Sequence, residues 1–396
     1  MMHEVLSLPR QQVHQQRVVV VVPDGTRALP SAQLLDMVLP QLQAHEPASV
    51  EVLVALGLHR PMSNEELYHV ARVCNGHQVR LSQHTAHVAS NLATLPSVSV
   101  ALTGALASID IPVVLHRALV EADTIVCLGL VEPHQYAGFS GGSKGIAIGC
   151  AGAETIATLH GLELLREPMT TLVETRANPF RRALDAVASR LDATLYGIHV
   201  VPSHPTPSIH QGPLNRSFEE AIEAASSTLL RYHARTHGCV HIVVEGAKSA
   251  NFYQASRAAT YVGLVHPTIL EQGATILLEA SCLEGFGVGA GELVSAQMFA
   301  RGEETLLAEL RGERALPAGL TLEGGAQRAY VLAKLLESHR LVLIGARHMP
   351  ELVNSSIRQF DTIQEALRAL DLCDEEPLEL RDVFHALPIH RPIAAT

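Results

Sequence analysis

At 396 residues the chain has room for two or three domains of about 150 residues, each able to bury an ordinary core, so a peptide or a small disulfide-stapled domain is excluded. Hydrophobic residues make up 47% and charged residues 17%, and no window approaches the run of about 18 apolar residues that a membrane-spanning helix needs. With 29 basic against 40 acidic side chains the net charge is -11, and the basic residues are scattered, which argues against nucleic acid or a membrane surface and for a small-molecule partner.

The N-terminal stretch lacks the charged, apolar, small-residue order of a secretory signal, so a cytoplasmic protein is expected. Short β-branched runs then alternate with helical patterns, the signature of βα units and a mostly parallel sheet. Strands are predicted at 18–22, 50–56, 112–115, 124–128 and 195–201. Ser63 and Glu66 form a capping box opening a helix, and Asn178-Pro179 opens another over 180–191. A second α/β block is predicted from strands at 240–245, 274–279 and 341–344 and helices over 293–310, 327–337 and 357–370. The expected organisation is an α/β fold of two domains, 1–235 and 236–375, with a hinge and a cleft, the tail 376–396 packing back on the first. The six cysteines are far apart and form no CxxC, so buried free thiols are expected.

Five stretches place polar or glycine residues directly after an apolar run, where open α/β sheets bind ligands. They are Asp24-Gly25-Thr26-Arg27, Gly57-Leu58-His59-Arg60-Pro61, the loop 132–149, the helix ending at His160, and Tyr253-Gln254-Ala255-Ser256-Arg257. The loop is the richest, reading His134-Gln135-Tyr136-Ala137-Gly138-Phe139-Ser140-Gly141-Gly142-Ser143-Lys144-Gly145. Its many backbone N–H groups and terminal ammonium suit an anion, and a structural turn explains it equally well. A Walker A loop is excluded, because Ser143 precedes the lysine and Gly145 follows it, leaving no magnesium-binding hydroxyl. Lys144 is otherwise a candidate covalent amine. Among the 22 histidines, His59 and His134 follow strands closely enough to serve as acid or base, or as hydrogen-bonded structural residues. His160, in a last helical turn, suits a metal ligand or a partner for the helix C-terminus. His84 and His87 lack HExxH or cysteine partners and make a poor zinc site.

Taken together in order, the five stretches resemble the nickel-dependent lactate racemase family of 2-hydroxyacid racemases and epimerases, through most of the chain. The resemblance implies a nickel-pincer nucleotide, a pyridinium-3-thioamide-5-thiocarboxylate mononucleotide, covalently attached through Lys144 and loaded by cofactor-synthesis enzymes. His160 matches the nickel ligand, an imidazole completing a tetragonal site with soft sulfur donors. His59 and His134 match the alternating acid and base that take and return the hydroxyl proton while the α-hydrogen moves as hydride. Asp24, Ser140, Gly141 and Gly142 fall with the cofactor-binding residues. Arg27, Tyr136, Gln254 and Arg257 fall with those that bind substrate, arginine suiting a carboxylate by its planar fork.

Two departures touch the substrate side. Arg257 stands where the family has lysine, and the chain has no tryptophan to place against the substrate, so a larger or more acidic 2-hydroxyacid than lactate is expected. The alternatives are a phosphate-ligand or nicotinamide-dependent dehydrogenase and a non-catalytic cofactor carrier. The dehydrogenase reading lacks GxGxxG after the first strand, and a carrier has no need of two acid-base groups.

Overall fold

The computed structural model describes residues 8–25, 29–103, 107–203, 205–317, 325–346, 348–373 and 376–391. The chain divides into two units, one of residues 1–159 and 175–228, the other of 160–174 and 229–396.

The first unit contains β1 (Arg17–Pro23), β2 (Ser49–Ala55), β3 (Arg80–Gln83), β4 (Leu92–Ala101), β5 (Ser108–His116), β6 (Thr124–Leu130), β7 (Pro133–His134), β8 (Gly138–Phe139), β9 (Thr194–Val201) and β10 (Ser208–Pro213). Six of these form a sheet ordered β10-β9-β6-β1-β2-β3, parallel except at the β10 edge. The valine run of β1 is buried on both faces, as a central parallel strand requires. Val18, Val20 and Val22 share a core with Leu34, Leu35, Val38, Leu39 and Leu42, the apolar stripe of the helix Ser31–Ala44. The predicted strand at 112–115 is real but longer, and pairs antiparallel with β4 in a separate ribbon outside the main sheet. Both helix starts take the expected form: Ser63 and Glu66 cap each other's backbone, and Asn178 accepts from Arg181 N ahead of Pro179.

The second unit contains β11 (Leu230–His233), β12 (His237–Val243), β13 (Leu270–Glu279), β14 (Arg340–Ile344), β15 (Arg358–Phe360), β16 (Leu378–Arg381) and β17 (Leu387–His390). Its main sheet is ordered β15-β14-β13-β12-β16 and is parallel throughout. Four expectations change here. The tail does not return to the first unit: β16 extends the second sheet beside β12, and β17 pairs with β11. Residues 160–174 belong with this unit because Leu172 packs among Leu230, Tyr261 and Leu387, and Arg166 donates to the carbonyls of Leu310 and Glu309. The helix predicted over 293–310 is two helices, Ala290–Ala300 and Glu303–Arg311, divided at Gly302 with φ 96°, and the one predicted over 357–370 begins as β15. Cys74, Cys127, Cys150, Cys239 and Cys282 are buried free thiols and Cys373 is exposed. Among the described residues no helix is long and apolar enough to cross a membrane.

Candidate active site

In the first sheet the strand order turns around at β1, with β2 on one side and β6 on the other. Ligands of open α/β sheets bind beyond the C-terminal ends of strands at such a reversal. Asp24 follows β1, His59 follows β2, and the loop carrying His134 and Lys144 follows β6.

The loop is held from inside. Arg181, on the buried face of the helix Pro179–Ala188, donates to Ala137 O at 3.1 and 3.2 Å, to Gly141 O at 3.1 Å and to Phe139 O, and lies 4.5 Å from the centre of the Phe218 ring. Burial lowers its guanidinium pKa to about 10. His199 accepts from Gly142 N–H at 3.0 Å through Nε2 and bonds Ser217 Oγ at 3.1 Å through Nδ1. Burial, with the Arg181 charge adding to it, pushes that imidazole down to about 3, so it works as a neutral acceptor. The Ser140 hydroxyl donates to Leu130 O at 2.6 Å and accepts from Glu132 N at 3.1 Å, which places it in the loop's own frame. Gly141 and Gly142 adopt φ of 85° and 59°, and a Cβ on them would stand 2.9 Å from Val131 Cγ2 and 2.9 Å from Phe218 Cδ1 respectively. Only glycine fits both the torsion and the space.

These bonds bear on the choice between an anion site and a structural turn. The N–H groups of Tyr136 and Ala137 go to His134, that of Phe139 to Ala137 O, that of Ser140 to Glu132 O, that of Gly142 to His199 and that of Lys144 to Gly141 O. A backbone cradle for phosphate needs donors turned outward, and these six are engaged within the first unit. The glycine run is a rigid platform, and its last residue, Lys144, is half-buried at the start of a one-turn helix, Lys144–Ala147. That turn sits over the sheet: a Cβ on Gly145 would come 3.8 Å from Val21 Cγ1, and one on Gly149 would come 2.6 Å from Ala55 Cβ. Gly57 N–H donates to Gly149 O at 2.9 Å, tying the loop that carries His59 to the segment that follows Lys144.

His59 Nδ1 lies 2.5 Å from Asp24 Oδ2, with Asp24 buried and the imidazole 59% exposed. A carboxylate accepts only, so Nδ1 carries the proton and Nε2 presents the lone pair. His134 is set the opposite way. Its Nδ1 accepts from the N–H groups of Tyr136 and Ala137, both at 3.3 Å, which leaves the proton on Nε2. Tyr136 is buried beneath it, with ring centres 5.8 Å apart, and its carbonyl accepts from Asn178 at 2.8 Å. Arg27 lies outside the described residues.

In the second unit, Gln254 and Arg257 stand one turn apart on the helix Phe252–Leu264, whose N-terminus is capped by Asn251 accepting from Gln254 N at 2.9 Å. His160 is half-buried in the turn directly after the helix Ala153–Leu159. Sequence reasoning missed Arg181 and His199, which carry no motif; the only signal was an arginine on the apolar face of a helix and a histidine inside a strand.

Residues 5–172 match the lactate racemase N-terminal domain family. The lactate racemase of Thermoanaerobacterium thermosaccharolyticum is 24% identical over 343 residues, 83% of this chain and 73% of that protein. The lactate racemase of Lactiplantibacillus plantarum is 24% identical over 364 residues, 88% of this chain and 79% of that protein. The lactate racemase apoprotein of T. thermosaccharolyticum has a similar fold, with a TM-score of 0.75 at 20% identity over 98% of this chain and 90% of its own. A Thermotoga maritima protein solved by a structural genomics consortium follows at a TM-score of 0.68 and 18% identity, covering 95% of this chain and 94% of its own. Residues 5–172 thus form a lactate racemase N-terminal domain, and the chain is similar to lactate racemases in sequence and in fold over most of its length.

Proposed function

We propose that this chain is an isomerase, a racemase or epimerase that inverts the hydroxyl-bearing carbon of a 2-hydroxyacid. The observation that carries the reading is the pair of oppositely set imidazoles, His59 on Asp24 and His134 on its own loop, carried on the same sheet edge as a lysine on a rigid turn. The lactate racemase relatives support the reaction class.

The residues present fit a tethered nickel-pincer nucleotide. Lys144 presents an amine on a platform clamped by Arg181 and His199, which is what a covalent anchor requires. His160 would supply an imidazole to nickel, and the soft sulfur donors of the group would suit the same metal. When bound, that group supplies a reversible hydride acceptor for the alcohol carbon.

The chain's own side chains handle the proton and the carboxylate. His59 Nε2 takes the hydroxyl proton, and Asp24 holds the ring in the required tautomer and offers a counter-charge to the imidazolium that forms. His134 Nε2–H donates to the substrate oxygen. For His134 to exchange roles with His59, its Nδ1 must give up the two 3.3 Å bonds to Tyr136 and Ala137, which are long enough to yield. Arg27, Gln254 and Arg257 hold the substrate's polar groups, arginine by its carboxylate-matching fork.

Intact-mass measurement after co-expression with the cofactor-making enzymes tests the tether. An adduct on the wild type that is absent from Lys144→Ala supports the reading; a bare wild-type chain that racemises no 2-hydroxyacid by chiral chromatography ends it.

A further inference from the structure

The His59 ring is 59% exposed, and among the described residues its one hydrogen-bond partner is Asp24, at 2.5 Å. A single bond fixes one atom of a ring and not its plane, so the aim of Nε2 depends on the backbone that carries the ring. That backbone is the connection 56–63, between β2 and the helix Asn64–Gly76. It starts in a turn, with His59 N–H donating to Leu56 O at 2.9 Å. It ends on the helix cap: Glu66 accepts from Ser63 N–H at 2.7 Å and takes two 2.8 Å bonds from the Arg60 guanidinium, which also donates to Pro61 O at 3.0 Å. These groups all belong to the connection or to its own helix, so they set its shape without setting where it lies over the neighbouring strands.

Gln83 supplies that second constraint. It is the last residue of β3, level with Val54 of β2, and the two-residue period of a strand puts its side chain on the same face as Leu81. Leu81 and Met62 pack against one core, so the glutamine side chain emerges beside Met62. Its amide meets both backbone groups of that residue: Oε1 accepts from Met62 N–H at 2.7 Å, and Nε2 donates to Met62 O at 3.3 Å. A side-chain amide thereby stands in for a peptide group of a further strand, and fixes Met62 in two directions at once. Met62 in turn lies against the chain that follows β1, where a Cβ on Gly25 would come 3.3 Å from Met62 Cε. Gly25 is the neighbour of Asp24, the residue that the imidazole has to meet. The line of contacts from Gln83 through Met62 to Gly25 thus registers the connection carrying His59 against the carboxylate that orients it.

We propose that Gln83 is a positioning residue for the acid-base step, its amide holding Met62 so that His59 Nδ1 stays on Asp24 and Nε2 is presented to the substrate hydroxyl. The proposal deepens the racemase reading and rests on it for what the ring does, whereas how the ring is held can be read without turnover. Displacing a base by about an ångström is enough to slow a proton transfer severely while leaving the groups that bind substrate untouched.

Nitrogen-15 NMR of the full chain at about pH 8, above the ordinary imidazole range, tests it by reading whether His59 Nδ1 carries the proton, with His59→Gln assigning the signal. The wild type is expected to show Nδ1 protonated, and Gln83→Leu to shift the proton toward Nε2. Gln83→Asn keeps the amide but falls one methylene short and should behave like Gln83→Leu. Gln83→Glu keeps the reach and the acceptor of the 2.7 Å bond and should restore the wild-type signal. In the loaded enzyme, kcat for racemisation is expected to fall about ten- to a hundredfold in the leucine and asparagine variants, with KM within about twofold. Circular dichroism checks the fold, and should Gln83→Leu not fold, the asparagine and glutamate variants decide between them. A wild-type Nδ1 signal in folded Gln83→Leu, equal signals in the asparagine and glutamate variants, or a raised KM with kcat unchanged overturns the positioning role. Unaltered racemisation and an unaltered signal in Gln83→Leu overturn it and spare the racemase reading. A shifted signal in a chain whose loaded wild type inverts no 2-hydroxyacid upholds the hold on His59 and removes the racemase reading.

Discussion

A proton on one nitrogen rather than the other decides what His59 and His134 do. Asp24 fixes the proton of His59 on Nδ1, and two backbone donors keep it off Nδ1 of His134, so one ring starts as acceptor and the other as donor. Asp24→Asn lets an amide N–H donate to Nδ1, moves the proton to Nε2 and removes the base. Racemisation followed by chiral chromatography is expected to fall about 10²- to 10⁴-fold with the adduct on Lys144 retained. An Asp24→Asn variant of full activity would take the base role from His59. His134 is expected to respond differently, because a glutamine also donates: His134→Gln should outperform His134→Ala by about tenfold, the worth of one hydrogen bond. Equal rates in those two variants would show that His134 works by proton transfer and not by donation.

At the scale of the element, the loop after β6 is a platform whose rigidity comes from the helix Pro179–Ala188 and from β9, and its stability is therefore long-range. Arg181→Leu strips the donors from the carbonyls of Ala137, Phe139 and Gly141 inside the fold. Urea unfolding should register a loss of at least about 3 kcal/mol, since each buried acceptor left unmet costs about 1–3 kcal/mol. A loss below about 1 kcal/mol would mean that water or a neighbour replaces the guanidinium. Gly149→Ala should cost about 1–3 kcal/mol by overpacking, because the new Cβ would stand 2.5 Å from Gly145 O and 2.6 Å from Ala55 Cβ. The sequence made the strands, the caps at Ser63 and Asn178 and the site stretches legible because each depends on neighbours within a few residues. It did not reveal Arg181 or His199, 57 residues from its partner Gly142 in the chain, since a long-range hydrogen bond leaves no local pattern. For the same reason the spacing left the glycine run open between an anion site and a structural turn: it shows that N–H groups are free of steric hindrance, and only the fold shows which of them are engaged. The β15 segment was misread as helix because three residues of strand beside a helical pattern are too short to show a period of two.

Each unit has a main sheet with a reversal in its strand order, at β1 in the first, parallel except at β10, and at β12 in the second, parallel throughout. Several histidines buried in the first unit have a consequence for stability against acid. His199 is pushed down to about 3 and His84 to about 4, in both cases chiefly by burial, and His116 is lowered for the same reason. The folded pKa of each lies below the ordinary value of 6.5, so between the two the unfolded chain binds the extra proton. Stability is then complete above about pH 6.5 and declines as the pH falls toward the folded values, by about 1.4 kcal/mol per unit for each imidazole. The salt-bridged carboxylate of Glu66, lowered to about 2 chiefly by Arg60, works only below its ordinary value of 4.5, while Asp185, raised by burial, acts in the opposite sense. Urea unfolding at pH 7.5 and pH 5.0 should differ by about 2 kcal/mol for His199 and a like amount for His84, a large share of the 5–15 kcal/mol that holds a domain together. His199→Gln lowers stability at neutral pH yet should reduce that difference by about 2 kcal/mol, because glutamine takes no proton in the interval. An unchanged difference in this variant would show that His199 is protonated in the folded chain and that Gly142 N–H has another acceptor.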